Sequence, residues 1–342
     1  MTFVLAVLFI SLWLYLIFAG ADFGAGILEI FKGKKFQREQ EALVNKAMGP
    51  VWEANHIWLI LALVILFVGF PKLFKEVCIV LHIPITAILI GIVFRGSAFT
   101  FRHYDAIKDK SQNWYSGFFA WSSLWTTFWI GVSVGAIMEG HFYVEKVDFF
   151  QTYIRPWLSG FPILVGFFLC TLLSYITATF MVAEASSKEG EVRDYLKDLY
   201  KRRAQYSIGV AIPIGAVIIS YGYFYNIYSL NEFFNNTFTL ICLGLSSILL
   251  LLQYVVIKKN QLHFLKYIGV TQLSLIFLGV AYNQFPFLIH NEQTHYFLSF
   301  YRSAAPDAVI DQLVIALIIV TVIIFPPYIY LMKIFKEETI KA

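Results

Sequence analysis

Three residues in the apolar part of this sequence carry charge where charge is costly. Asp22 lies in Phe18-Ala-Gly-Ala-Asp-Phe-Gly-Ala-Gly26, Glu53 in Gly49-Pro-Val-Trp-Glu-Ala-Asn-His-Ile-Trp58, and Arg95 in Phe94-Arg-Gly96. An ionisable group at mid-depth in hydrocarbon costs at least about 2.5–3.5 kcal/mol, so each needs a partner or a task. Two carboxylates and a guanidinium can cluster, with the arginine bridging. Such a cluster has two compatible uses. It can be a structural ion-pair knot that locks three helices, or a polar path that conducts protons for redox chemistry.

The neighbours of these residues sharpen the choice without closing it. Gly20, Gly24 and Gly26 surround Asp22, and small residues at such intervals let a second helix approach closely. Glu53 and His56 stand three apart and share a helix face, with Trp52, Asn55 and Trp58 beside them. An acid–histidine pair there can relay protons; a solvated helix entrance anchored by tryptophan is the plainer alternative. His82 sits in an apolar run two residues before Pro84. A low-spin haem needs two axial ligands at matching depth. The other histidines (56, 103, 141, 263, 290 and 295) offer His82 no partner at its depth, and Met138 and Met181 fall near span ends. His82 therefore reads as a hydrogen-bonded core histidine. Cys78, Cys170 and Cys242 are far apart in apolar stretches, which excludes a cysteine-based metal site or a disulfide framework. No metal site is expected. Glu139 and Glu184 read as interface charges, and phosphate-loop, dinucleotide and nucleophile-elbow patterns are missing from the sequence.

The elements that must hold these residues follow from composition. The 342 residues are 59% hydrophobic and 14% charged, against about 25% charged in a soluble domain. That points to an all-α polytopic membrane protein. Apolar runs of span length fall at 3–30, 51–70, 74–94, 114–138, 158–183, 208–228, 237–257, 264–287 and 312–335, nine in all. The first lacks a basic flank and reads as an uncleaved helix rather than a signal peptide. The insert from Ser186 to Tyr206 reads as a short charged surface helix, and its basic run from Lys197 to Arg203 as a flank facing anionic lipid. With this count, all of the 26 basic residues except Lys72, Lys75, Lys146, Arg155 and Arg302 fall on one side. The positive-inside rule makes that side cytoplasmic, with the N-terminus outside and the C-terminus inside. Asp22 then lies about 12 Å from the cytoplasmic end of its helix, Glu53 in the first turns of span 2, and Arg95 at the end of span 3. All three belong to the cytoplasmic half.

The motifs Gly20-Ala-Asp-Phe-Gly-Ala-Gly26, Gly49-Pro-Val-Trp-Glu-Ala-Asn-His-Ile-Trp58 and Phe94-Arg95, in that order, resemble subunit II of the cytochrome bd quinol oxidases. The specific likeness covers roughly the first third of the chain. Beyond it, hydropathy, span count and weaker echoes such as Gly131-Val-Ser-Val-Gly135 continue it.

The resemblance implies a bacterial inner-membrane complex that oxidises quinol and reduces O2 to water, taking protons from the cytoplasm without pumping them. It implies that two b-type haems and one d-type haem, with the quinol site, belong to subunit I, the heterodimer partner. It leaves room for a small accessory membrane subunit. This chain would be the haem-free relative, with two four-helix bundles and one further helix: residues 1–140, 141–290, and 291–342 for the ninth helix and tail. No catalytic residue is expected in it. Asp22, Arg95 and Trp58 match motif positions, and Glu53 matches an acid linked to a proton route. Some relatives carry a further acid where Thr100 stands here, and a hydroxyl can hold water but not store a proton. The expected proton path is thus Glu53, His56, Asp22 and Thr100, with Asp22–Arg95 mainly structural. The competing readings are a secondary transporter, for which Pro213 and Pro326-Pro327 could break helices, and a structural membrane scaffold.

Overall fold

The computed structural model of the chain describes residues 1–33, 35–104, 111–142, 148–186, 188–259, 264–291 and 296–341, with side chains throughout except at 48–54, 103–104, 291, 296, 324–325 and 328–341. The chain is nearly all helical. Helix α1 (Thr2–Ile30) has no charge before Asp22 and stops where Phe31-Lys32-Gly33 ends the apolar run. Helix α2 (Gln37–Gly69) returns, and α3 (Pro71–Val80) bends from its last half by 112°, with Pro71 at the first helical position, where its missing N–H costs nothing. Then follow α4 (His82–Tyr104), α5 (Ser111–Glu139), the short α6 (Phe149–Tyr153), α7 (Gly160–Ala185), α8 (Gly190–Phe224), α9 (Tyr228–Asn235), α10 (Thr237–Lys258) and α11 (Leu265–Gln284). A hairpin of β1 (Phe287–Asn291) and β2 (Tyr296–Ser299), the short α12 (Phe300–Ser303) and the long α13 (Asp307–Lys341) complete the chain.

Among the described residues, six helices are each long and apolar enough to cross a membrane: α1, α4 to Arg102, α7, α8, α10 and α11. The bent pair of Asn55–Gly69 and α3 would make a seventh. Helix α5 is as long as α1, but hydroxyls lower its hydropathy. Ser122, Ser123, Thr126 and Thr127 face inward, buried, and each donates to the carbonyl four residues earlier, which satisfies the hydroxyl without a partner helix. Large apolar side chains such as Phe67, Val93, Trp121 and Ile248 cover the outside, as a lipid-facing surface requires.

Helix α1 runs at the centre, against α2, α5, α7 and α11, while α4 packs on α5, α8 on α7, α10 on α11 and α13 on α2. The buried apolar residues form two main cores. One joins the start of α1 (Val4, Leu8) to the end of α2, the hairpin and α13. The other joins the end of α1 (Ala25, Leu28) to the start of α2, the end of α7 and the start of α8. The polar residues of interest lie towards this second end.

Several expectations are corrected. The run 74–94 is not one straight element: the chain turns at Leu81, so the helix begins at His82 and continues to Tyr104, which makes Arg95 a mid-helix residue. Helix α2 starts at Gln37, well before the apolar run at 51, because the charged segment 37–46 also forms helix. The segment 186–206 is no separate surface helix, since residues from Gly190 continue into the following span as α8. Pro213 and Pro326-Pro327 lie inside continuous helices; proline removes one backbone donor and need not end a helix held by its neighbours. The apolar run 264–287 ends in a strand, so the fold carries a hairpin that periodicity did not announce.

Candidate functional site

Asp22 belongs to the glycine-rich turn of α1 and is fully buried. Arg95, from α4, meets it with Nη1 on Oδ2 at 2.5 Å and Nη2 on the main-chain carbonyl oxygen at 3.1 Å, and Nη2 also pairs with Oδ1. Its Nε donates to Ser123 Oγ of α5 at 2.8 Å. Asn55, buried on α2, donates from Nδ2 to Asp22 Oδ2 at 3.2 Å. The guanidinium carbon lies 4.7 Å from the ring centres of both Phe23 and Phe119, a desolvated cation–π setting. One polar knot thus ties α1, α2, α4 and α5.

The glycines make this approach possible. A Cβ on Gly24 would stand 2.6 Å from the Leu173 carbonyl oxygen of α7, and one on Gly26 would stand 2.1 Å from Ser123 Oγ. Gly20 has more room, with Leu173 Cδ2 at 3.1 Å. Trp58 is buried on α2, and His56 is half-buried there, within electrostatic reach of Asp22 and Arg95. Thr100 is exposed on α4 and does not join the knot. Glu53 and Trp52 belong to the run of α2, but their side chains lie outside the described residues.

Two turns further along the same seam stands a second knot that the sequence reading missed. Arg102, counted as a basic flank, is buried and donates from Nη1 to both Glu29 oxygens, at 3.1 and 2.8 Å, while Nη2 reaches Asn45 Oδ1. Lys32 Nζ pairs with Glu41 Oε1 at 2.6 Å. Gln40 ties the turn after α1 by donating to the carbonyls of Gly33 and Lys35. The signal was available: Asp22 and Glu29 on α1 repeat the interval of Arg95 and Arg102 on α4.

Three other assignments change. Arg203 does not face lipid; it is buried and donates to the Phe31 carbonyl, and burial lowers its pKa. The neighbouring Tyr200 hydroxyl is pushed up to about 12 by burial. His82 is not in the core: it opens α4, exposed, with Nδ1 2.9 Å from the Ile79 carbonyl oxygen. Glu139 is not an interface charge, because it is buried, accepts from Ser159 Oγ and has His141 Nδ1 at 3.5 Å.

The family model described as Cytochrome bd terminal oxidase subunit II matches residues 1–335. The chain belongs to that family. It is 31% identical over 156 residues to cytochrome bd ubiquinol oxidase subunit 2 of Bacillus subtilis (strain 168), covering 43% of this chain and 44% of that protein. It is 27% identical over 142 residues to cytochrome bd-I ubiquinol oxidase subunit 2 of Escherichia coli (strain K12), covering 41% of this chain and 35% of that protein. The matches therefore span less than half the length of these curated relatives. In fold, the chain resembles the solved bd oxidase from Geobacillus thermodenitrificans, with a TM-score of 0.74 and 19% identity over 98% of both chains. This bd subunit II chain is a multi-pass membrane protein.

A bd oxidase carries haem, so the donors of this chain matter. Among the described residues no three His, Cys, Asp or Glu side chains gather as a metal-holding group. His82 Nδ1 is turned back to the Ile79 carbonyl at the end of α3, and His290 stacks on Tyr228 at 3.8 Å in the hairpin.

Proposed function

We propose that this chain is the haem-free subunit of a quinol:O2 oxidoreductase of the bacterial inner membrane. It pairs with a subunit I that holds the haems, two b-type and one d-type, and the quinol site. In this reading nine helices cross the membrane, from an outer N-terminus to a cytoplasmic C-terminus. They form two four-helix bundles (residues 1–140 and 141–290) and a ninth helix with its tail (291–342). When bound in the partner, the haems supply the electron-transfer and O2 chemistry. This chain supplies a rigid flank and a polar route for protons. A small accessory subunit is compatible with the arrangement.

One observation carries the reading: a fully enclosed Asp22–Arg95 knot within the apolar bundle of a subunit II family member. O2 reduction consumes protons in a low-dielectric setting, so it needs polar groups that reach the cytoplasm. Asp22 accepts from Arg95 and Asn55 and is held as a counter-charge. Glu53 and His56, on the adjoining helix, are the groups assigned to proton handling, with Thr100 holding water at most. The test uses the complex purified with its haem-bearing partner. Glu53→Gln is expected to assemble with full haem absorbance and turn over slowly. Asp22→Asn is expected to lower the yield of assembled complex. A Glu53→Gln complex that respires at the parental rate ends the proton assignment. A chain that is purified alone, folded and solute-binding ends the subunit assignment.

A further inference from the structure

Asp22 and Glu29 stand seven residues apart on α1, as do Arg95 and Arg102 on α4. Seven residues are two turns, about 10.5 Å, so two ion pairs repeat along one seam. The buried ring of Phe119 lies between them, its centre 4.7 Å from the Arg95 guanidinium carbon and 4.5 Å from that of Arg102. A buried ion pair is a poor way to hold two helices, because an apolar pair of similar volume does so as well. A repeated one needs a further reason.

The two pairs differ in what they can exchange with. Among the described residues, Asp22 is hydrogen-bonded by Arg95 and Asn55, with His56 and Tyr15 within electrostatic reach and no cavity beside it. Glu29 lines a cavity with Lys32, Gln40, Glu41, Tyr200 and Arg203. The cavity measures about 10 Å³, close to the space of one water molecule. It lies where α1 ends and the first charged residues follow. Among the described residues, the charged and titratable groups around Glu29 are Arg102 from α4, Lys32 from the turn, Glu41 from α2, and Tyr200 and Arg203 from α8.

We propose that Glu29 is the proton-collecting residue at this end of the subunit, and that Arg102 positions it. The inference rests on the proton-supply reading above. A proton carried in from the aqueous side as H3O+ on a cavity water adds to the Glu29 carboxylate, giving the neutral acid and leaving the water behind. The Arg102 contact loosens as the negative charge is lost, while Asn45 Oδ1 still accepts from its Nη2. The acid then passes that proton to water on the inner side of the seam and returns to carboxylate, so the group is unchanged over a cycle. Glu29 and Asp22 are too far apart for direct transfer, and water has to bridge the level of Phe119.

The test compares Glu29→Gln, Glu29→Gln with Arg102→Gln, and Glu53→Gln in the assembled complex. Quinol oxidation is followed from about pH 6 to 9, with haem absorbance per complex as the assembly control. Loss of a proton-transfer group predicts at least about a ten-fold slower rate, in both the single and the charge-balanced double variant. The deficit should deepen as pH rises and protons become scarce. A parental rate in Glu29→Gln overturns the proposal. So does a double variant that regains the parental rate, since charge balance alone then explains the pair. If the single variant fails to assemble, the double variant decides in the same way. Glu53→Gln separates the failures: a parental rate there removes the Glu53 assignment, and a parental rate in Glu29→Gln removes this one.

Discussion

Arg95 grips Asp22 at two kinds of oxygen, a carboxylate Oδ2 at 2.5 Å and the main-chain carbonyl at 3.1 Å. The second contact matters, because it fixes α4 to the backbone of α1 and not only to a side chain. Removing one partner of a buried pair leaves an uncompensated charge, which costs about 3–5 kcal/mol. Arg95→Leu is therefore expected to lower the yield and melting temperature of the complex sharply. Asp22→Asn keeps an acceptor for Nη1 but leaves the buried guanidinium uncompensated, so it should lower stability as well. Combining Arg95→Leu with Asp22→Leu should recover part of the loss. Thermal unfolding of the parent complex, Arg95→Leu, Asp22→Asn, and Arg95→Leu with Asp22→Leu checks both the losses and the recovery.

The glycines of α1 give a second ranking. At Gly24 the added methyl would strike the Leu173 backbone oxygen at 2.6 Å, and at Gly26 the Ser123 side chain at 2.1 Å. Backbone in a packed helix cannot step aside, whereas a side chain can change rotamer. Overpacking of this kind costs about 1–3 kcal/mol. Gly24→Ala should sit at the upper end of that range and Gly26→Ala lower. Ser123→Gly should rescue Gly26→Ala in part and leave Gly24→Ala unchanged. Equal losses at both sites, or rescue of both, would contradict this packing.

The residues show why part of this was legible in sequence. Asp22 and Arg95 stand out because hydrocarbon penalises charge, and the apolar runs around them are long. Glu29 and Arg102 do not stand out, because each lies near the end of an apolar run, where charge is commonplace. Only their shared interval with Asp22 and Arg95 marks them. Arg203 was misread for a related reason: a basic cluster beside a span looks solvated, yet α8 continues inward and buries one member of the cluster against the end of α1. The break at Leu81 is masked by apolar residues on both sides, and Pro84 in the first turn of α4 is its one local mark. Glu139 looked like a boundary charge, and its partner Ser159 lies twenty residues on, beyond α6.

Alkaline pH should find a weak point at Tyr200. Burial raises its hydroxyl from 10.0 to about 12. A group whose folded pKa is raised stabilises the fold fully below its unfolded pKa, and that contribution is lost as pH rises through the folded value. Stability from Tyr200 should therefore be constant up to about pH 10 and decline between 10 and about 12. Tyr200→Phe has no proton to lose, so its melting temperature should fall less steeply over that window. Parallel alkaline slopes for the parent and Tyr200→Phe would remove Tyr200 from the explanation.

At the other end of the bundle, Ser159 stands at the N-cap position before α7 but spends its hydroxyl on Glu139 and makes no side-chain cap bond. The Glu139 carboxylate consequently lies near the start of α7, where the helix dipole favours negative charge. Ser159→Ala removes one donor from a carboxylate that is only 3% exposed, and an unmade bond to a buried acceptor costs about 1–3 kcal/mol. Glu139→Gln keeps an acceptor oxygen for the hydroxyl and should be milder than Glu139→Leu. Because the two residues touch, their losses should not add: Glu139→Leu with Ser159→Ala should cost less than the separate losses combined. Melting temperatures of the four complexes measure that coupling, and strictly additive losses would mean that Ser159 and Glu139 do not support each other.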